Sequence, residues 1–168
     1  TAGGRAVAAA GVRHDGHNWD KLSAGGGPPA TGTTGNAHMQ GPEVSRTAAG
    51  KITDVVYSAL EKGGATVDDL DWFVPHQANR RIIDGAGNKL GLPPEKVVVT
   101  VDLHANTSAA SVPLALSVAV ADGRIKQGDL VMLEALGGRL PGAASLLRWY
   151  VVRRALALGV PRRLSLFA

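Results

Sequence analysis

Between Val44 and Gly63 the apolar positions Ala48, Ile52, Val55, Val56, Ala59 and Leu60 recur at three- and four-residue intervals, which predicts an amphipathic helix stopped by Gly63. Thr66 then suits the N-cap of a short turn through Asp68 and Asp69, leading into a strand from Leu70 to Val74. A second helix is expected from about Ala78 to Leu90, with Gly91 at its C′ position and Pro93-Pro94 barring continuation. A strand from Val97 to Val101 follows, then a helix from about Ser108 to Ala121 in which Pro113 can introduce a kink. Strands Leu130 to Ala135 and Ala143 to Trp149 complete the pattern. Alternation of strand and helix predicts an α/β fold with a mostly parallel sheet covered by helices.

Residues 1–42 read differently. Gly25-Gly26-Gly27-Pro28-Pro29 and Thr31-Gly32-Thr33-Thr34-Gly35 favour turns, so an irregular, loop-rich segment is expected there. The chain thus divides into that segment, an α/β unit over 43–149, and a basic tail over 150–168.

Charge narrows the partners. The formal charge of +4 rests on Arg153, Arg154, Arg162 and Arg163, beyond Trp149, and the rest of the chain balances 14 basic against 14 acidic residues. That body has no electrostatic footprint for nucleic acid. No apolar run approaches the roughly 20 residues that span a bilayer, and no membrane association is expected. With Cys 0, disulfides and thiolate metal sites are excluded. His14 and His17 have a gap that a metal site can use, but no third ligand at sensible spacing accompanies them, so no metal is expected. Gly25 to Gly27 lacks the following Gly-Lys-Ser/Thr of a phosphate cradle.

Three motifs stand where the expected strands end: Val74-Pro75-His76-Gln77-Ala78-Asn79, His104-Ala105-Asn106-Thr107-Ser108-Ala109-Ala110-Ser111, and Glu134-Ala135-Leu136-Gly137-Gly138. Open α/β folds keep their ligands at that edge, because loops there carry polar groups while the strands behind them hold position. His76 can serve either function or plain backbone bridging, and Gly137-Gly138 either an anion hole or an ordinary turn.

The wording of these motifs resembles the C-terminal half of the β-ketoacyl-acyl-carrier-protein synthase III family, in the thiolase-like superfamily, from about Gly41 to Gly138 with a fainter echo over 14–40. The resemblance implies one βαβαβ-type half of a two-half fold. It implies an acyltransferase that joins an acyl-CoA primer to malonyl-acyl-carrier-protein by decarboxylative Claisen condensation, initiating fatty acid biosynthesis. His76 and Asn106 match two corners of the family's Cys-His-Asn constellation, and Gly138 matches the glycine whose N–H serves the acyl-enzyme oxyanion hole. Loss of carbon dioxide from a malonyl thioester leaves an enolate, and two N–H donors aimed at its oxygen stabilise that charge.

By the same resemblance Gly41, Ala78 and Asn79 line the coenzyme A and pantetheine path, and Arg46, Arg81 and Lys89 receive the acidic carrier protein. Coenzyme A and phosphopantetheine thioesters enter as substrates, with no resident cofactor. The family's cysteine nucleophile belongs to its first half, so the expected partners are a Cys-bearing N-terminal half, acyl carrier protein and acyl-CoA. The complete enzyme is expected to be a cytoplasmic homodimer.

The chain departs from the family in four places. Arg139-Leu140-Pro141-Gly142 stands where Gly-Phe-Thr-Trp-Gly is usual, and a charge and a rigid ring there are expected to disturb the turn. Ala105 replaces a glycine, which is tolerable only at negative φ. Ser45 replaces an aromatic residue, and Tyr150 to Ala168 extend past the usual end. The Thr1 start and absent cysteine are read as an expectation that the chain begins within a longer protein and is inactive alone. The alternatives are a starter-unit condensing enzyme of polyketide metabolism, or a non-catalytic remnant lacking the nucleophile.

Overall fold

The computed structural model describes residues 7–13, 22–24, 32, 37–39, 41–137 and 142–150, with the backbone alone for 22–24, 37–39 and 41–46. In chain order the elements are β1 (Val7–Arg13), β2 (Leu22–Ala24), β3 (Ala37–Met39), α1 (Gly41–Gly63), β4 (Trp72–Val74), α2 (Arg80–Leu90), the single turn α3 (Val101–His104), α4 (Ser111–Ala121), β5 (Leu130–Leu136) and β6 (Gly142–Arg148).

Four strands form one sheet in the order β1-β6-β5-β4, and β2 pairs with β3 separately. The sheet is mixed. β4 and β5 run parallel, whereas β6 is antiparallel to both β5 and β1. The mostly parallel sheet expected from strand–helix alternation is therefore corrected. Its final strand follows β5 without an intervening helix, and such a short connection can only reverse the chain.

The 1–42 segment is corrected as well, because β1 lies within it and closes the sheet against β6 in register from Ala9↔Leu146 to Arg13↔Gly142. Its Val-Ala-Ala-Ala-Gly-Val sequence lacks the alternation that marks a half-buried strand, and it is mostly exposed. The expected strand from Val97 to Val101 reduces to a parallel bridge, Phe73↔Val97, reinforced by the Val98 N–H donating to Phe73 O at 2.8 Å. After Thr100 the chain turns into α3.

Apolar periodicity decides which face each element covers. On one face Ile52, Val55, Val56, Ala59 and Leu60 of α1 and Ile83, Ala86 and Leu90 of α2 pack with Phe73, Met132 and Leu146. On the other, Ala115 and Ala119 of α4 pack with Val74, Val98, Ile125 and Val131. Trp72, Phe73 and Val74 thus alternate between the two cores, as the period of two along a strand requires. Each large aliphatic side chain buried from α1 is worth about 1.5–3 kcal/mol, an upper value because the unfolded chain also buries surface.

Helix ends follow local chemistry. α1 closes with Gly64 N–H to Glu61 O (3.1 Å) and Ala65 N–H to Leu60 O (3.0 Å), and Gly64 takes the left-handed φ of 65°. Gly64, rather than the expected Gly63, is thus the stop. Gly63 is needed for approach, since a Cβ there would lie 2.6 Å from Leu146 Cδ2 on the sheet. Gly91 ends α2 as expected, with φ 73° and Leu92 N–H donating to Gly87 O at 3.0 Å. At Thr66 the capping runs the other way: the Asp69 carboxylate accepts from the Thr66 N–H and hydroxyl, both at 2.8 Å. Those bonds pull its pKa below the ordinary aspartate range. Pro113 makes no mid-helix kink, because α4 starts at Ser111 and places it in the first turn, where its missing N–H costs little.

α4 is apolar on nearly every side, yet Pro113, Leu114, Ser117 and Ala121 are exposed. A helix apolar all round is one that packs on all sides.

Candidate active site

β4 ends at Val74, and Pro75 turns the chain so that His76 stands half-buried above the sheet edge while Gln77 points inward. The next helix begins only at Arg80. Asn79 is its N-cap, with its side-chain oxygen accepting from the Arg81 N–H at 2.8 Å, so the helix expected from Ala78 starts two residues later. An N-cap of this kind fixes the exit angle of the His76 loop.

Gln77 ties that loop to the next. Its side chain is 1% exposed. Its Nε2 donates to Pro75 O (2.8 Å) and Val98 O (3.1 Å), and its Oε1 accepts from the Thr100 N–H at 2.7 Å. These bonds satisfy backbone groups just beyond β4 and just beyond the Phe73↔Val97 bridge. A buried, fully engaged carboxamide of this kind holds two loops at a set separation. The sequence motif includes Gln77, but no spacing rule singles it out as the brace.

Ser111 makes the second link. The Gln77 N–H donates to its Oγ at 3.2 Å, and the same Oγ lies 2.5 Å from His76 Nδ1. Ser111 is 1% exposed and opens α4, immediately after the loop that carries Asn106. Thus the His76 loop and the end of the Asn106 loop meet at one hydroxyl. Burial pushes the His76 imidazole below the ordinary histidine range, favouring the neutral ring.

Asn106 itself is exposed, and its Oδ1 accepts from the Ser108 N–H at 3.0 Å, a local turn that leaves the Nδ2 hydrogens as donors. The turn before it is strained. Ala105 has φ 55° and ψ −162°, against the expected negative φ, and Ser108 also has φ 55°. The ε region that Ala105 borders is essentially reserved for glycine, and strain of this sort gathers at functional sites.

Beneath His76, Glu134 projects from β5 and is 1% exposed. Its Oε2 accepts from the His76 N–H at a long 3.4 Å. Desolvation raises its pKa to about 8, against the smaller lowering effect of that N–H, so the carboxyl is largely protonated at pH 7. Among the described residues the buried side-chain atoms without a partner are Thr100 Oγ1, His104 Nδ1 and Glu134 Oε1, all on these same loops or the strand under them. Each such atom calls for a partner that the described residues do not supply.

Other residues singled out from the sequence are less informative. Ala78 is half-buried beside the brace, and Arg81 and Lys89 are exposed on α2, Lys89 reaching over Gly50 of α1. Gly138 and residues 139–141 lie outside the described residues, as do the side chain of Arg46, His14, His17 and the tail from Val151; Gly41 is the first residue of α1. A cavity of about 520 Å³, lined by Arg13, Asp54, Tyr57, Glu61 and Thr66 among others, includes neither His76 nor Asn106. Among the described residues no cluster of three metal-ligating side chains occurs, and no helix is long and apolar enough to cross a membrane.

Residues 60–149 match the family model described as 3-oxoacyl-[acyl-carrier-protein (ACP)] synthase III C terminal. The chain is 63% identical over 145 residues to the β-ketoacyl-[acyl-carrier-protein] synthase III of Rhizobium rhizogenes, covering 86% of this chain and 45% of that protein. Among solved structures it resembles the β-ketoacyl-[acyl carrier protein] synthase III of Thermus thermophilus, with TM-score 0.80 and 41% identity, over 88% of this chain and 47% of that one. It also resembles the priming β-ketosynthase of the R1128 polyketide biosynthetic pathway, with TM-score 0.75 and 33% identity, over 83% and 44%. The chain spans under half the length of each of these proteins.

Proposed function

The chain belongs to the 3-oxoacyl-[acyl-carrier-protein] synthase III family, matching its C-terminal part within a thiolase-like α/β fold, and from that premise we propose that it forms the decarboxylating side of a Claisen condensation. The reaction joins an acyl-CoA primer to malonyl-acyl-carrier-protein at the start of fatty acid synthesis. The malonyl C–C bond breaks, carbon dioxide leaves, and the electron pair forms a thioester enolate. His76 and Asn106 each direct an N–H at the enolate oxygen. The enolate carbon then attacks an acyl group held on a cysteine, and the thiolate departs. That cysteine is supplied by a partner half, since this chain has none. By itself the chain forms no acyl thioester.

The observation that carries this reading is the junction at Ser111 and Gln77, which ties the His76 loop to the segment that carries Asn106 at one edge of the sheet. Donors on rigid, braced loops stabilise developing charge without reorganising at the moment of reaction. The exposed face of α4 is consistent with a second half packing there. In the complete cytoplasmic enzyme, read as a homodimer, Gly138 donates its N–H to the acyl-transfer oxyanion. Gly41, Ala78 and Asn79 line the pantetheine path. Arg46, Arg81 and Lys89 attract the acidic carrier protein, with an on-rate that falls as salt rises.

The test pairs this chain with a Cys-bearing N-terminal half from the same family, with Gly-Phe-Thr-Trp-Gly restored from Arg139 onward, and measures malonyl decarboxylation and acyl transfer separately. His76→Ala or Asn106→Ala should each lower decarboxylation by roughly 10²-fold or more. The double variant should lose less than the product of the two, because both groups act on one oxygen. Equal loss of acyl transfer in His76→Ala would overturn the assigned roles. The likeness to a polyketide priming ketosynthase supports a second reading, a starter-unit condensing enzyme with the same chemistry and a different primer.

A further inference from the structure

We propose that Ser111 is a positioning residue that sets the tautomer of His76, holding the ring proton on Nε2. The inference deepens the proposed function and rests on it for its consequence, but its evidence is the hydrogen-bond count at one oxygen. A serine hydroxyl has one hydrogen to donate and two lone pairs to accept with. The Gln77 backbone N–H can only donate, so one lone pair of Ser111 Oγ is taken at 3.2 Å. The remaining contact is His76 Nδ1 at 2.5 Å.

Two arrangements fit that contact. If Nδ1 carried hydrogen, Oγ would accept twice and its own hydrogen would need a third partner. Ser111 is 1% exposed, and no other bond from it is made to the described residues. A buried hydroxyl hydrogen with nowhere to go is costly. In the other arrangement Oγ–H donates to Nδ1 and every atom is satisfied. Nδ1 is then the acceptor, and the hydrogen of the neutral ring sits on Nε2, where no described residue binds it.

The consequence is chemical. An Nε2–H can stabilise an enolate oxygen, whereas an unprotonated Nε2 would repel it. Asn106 shows the same logic, since its Oδ1 is occupied by Ser108 N–H and its amide hydrogens are left to donate. Both side chains are held from behind through their acceptor atoms, which leaves each presenting donors.

The experiment is ¹⁵N NMR of the full chain with labelled histidine, the His76 resonances being identified by their loss in His76→Gln. In the unaltered chain near neutral pH, His76 should be the Nε2–H tautomer. In Ser111→Ala the ratio of Nε2–H to Nδ1–H should fall about fivefold, the worth of one hydrogen bond. Ser111→Thr, which keeps the hydroxyl, should preserve it. A ring protonated on Nδ1 in the unaltered chain, an unchanged ratio in folded Ser111→Ala, or a lost preference in folded Ser111→Thr would each overturn the proposal. If Ser111→Ala does not fold, the unaltered chain and Ser111→Thr still decide it. Because the tautomer is read on the ring, an Nε2–H tautomer together with undiminished decarboxylation in His76→Ala would refute the function and leave the Ser111 assignment standing.

Discussion

Replacing Ala105 with glycine should stabilise the fold, the reverse of what glycine does at an ordinary position. Ala105 holds φ 55° and ψ −162°, where its Cβ crowds the adjoining carbonyl groups. Such a conformation costs a non-glycine residue about 1–3 kcal/mol. Glycine removes that strain but enlarges the freedom of the unfolded chain, giving back about 0.5–1 kcal/mol. The net gain is between about 0 and 2.5 kcal/mol, a rise of up to roughly 1.2 M in the urea midpoint at a slope near 2 kcal/mol/M. Urea titration followed by tryptophan fluorescence reads it, because Trp72 and Trp149 both pack on the core under α4. Gly91→Ala is the matched control. Gly91 has φ 73°, and a Cβ there meets nothing within 4 Å, so its expected loss of about 1–2 kcal/mol is purely conformational. If Ala105→Gly lowered the midpoint while Gly91→Ala behaved as expected, Ala105 would not be strained in solution.

Two further perturbations act on the same site. Glu134 has a folded pKa of about 8 against an ordinary value of 4.5, so the folded state binds the extra proton, and stability should fall as pH rises from about 4.5 to about 8. The contribution is on the order of several kcal/mol; Glu134→Gln should flatten that slope in urea melts taken across the window, and parallel profiles would refute it. Gln77→Leu keeps the volume but leaves Pro75 O, Val98 O and Thr100 N–H without partners, which should cost about 2–4 kcal/mol in the same melts. A loss below ~1 kcal/mol would mean that the brace is replaceable.

Local chemistry made much of this protein legible in one dimension. Helical spacing from Ala48 to Leu60, the Gly91 stop and the apolar runs around Phe73 and Met132 record short-range rules: a period of 3.6 or 2, and a left-handed residue that only glycine adopts cheaply. The motifs around His76 and Asn106 were legible for the same reason, since strand-end loops carry their polar residues in contiguous runs. Tertiary structure decided the rest. β1 has no amphipathic pattern, and it is a strand because β6 offers it a free edge. Val97 to Val101 has strand composition, but only Val97 finds a bridge before the chain turns into α3. Gln77, Ser111 and Glu134 gained their roles because each meets a partner distant in sequence, Thr100, His76 or the His76 backbone. Neither a brace between loops nor a carboxyl kept protonated by burial can be read from neighbours along a chain, because hydrogen-bond partnership and dielectric environment are properties of atoms brought together in space.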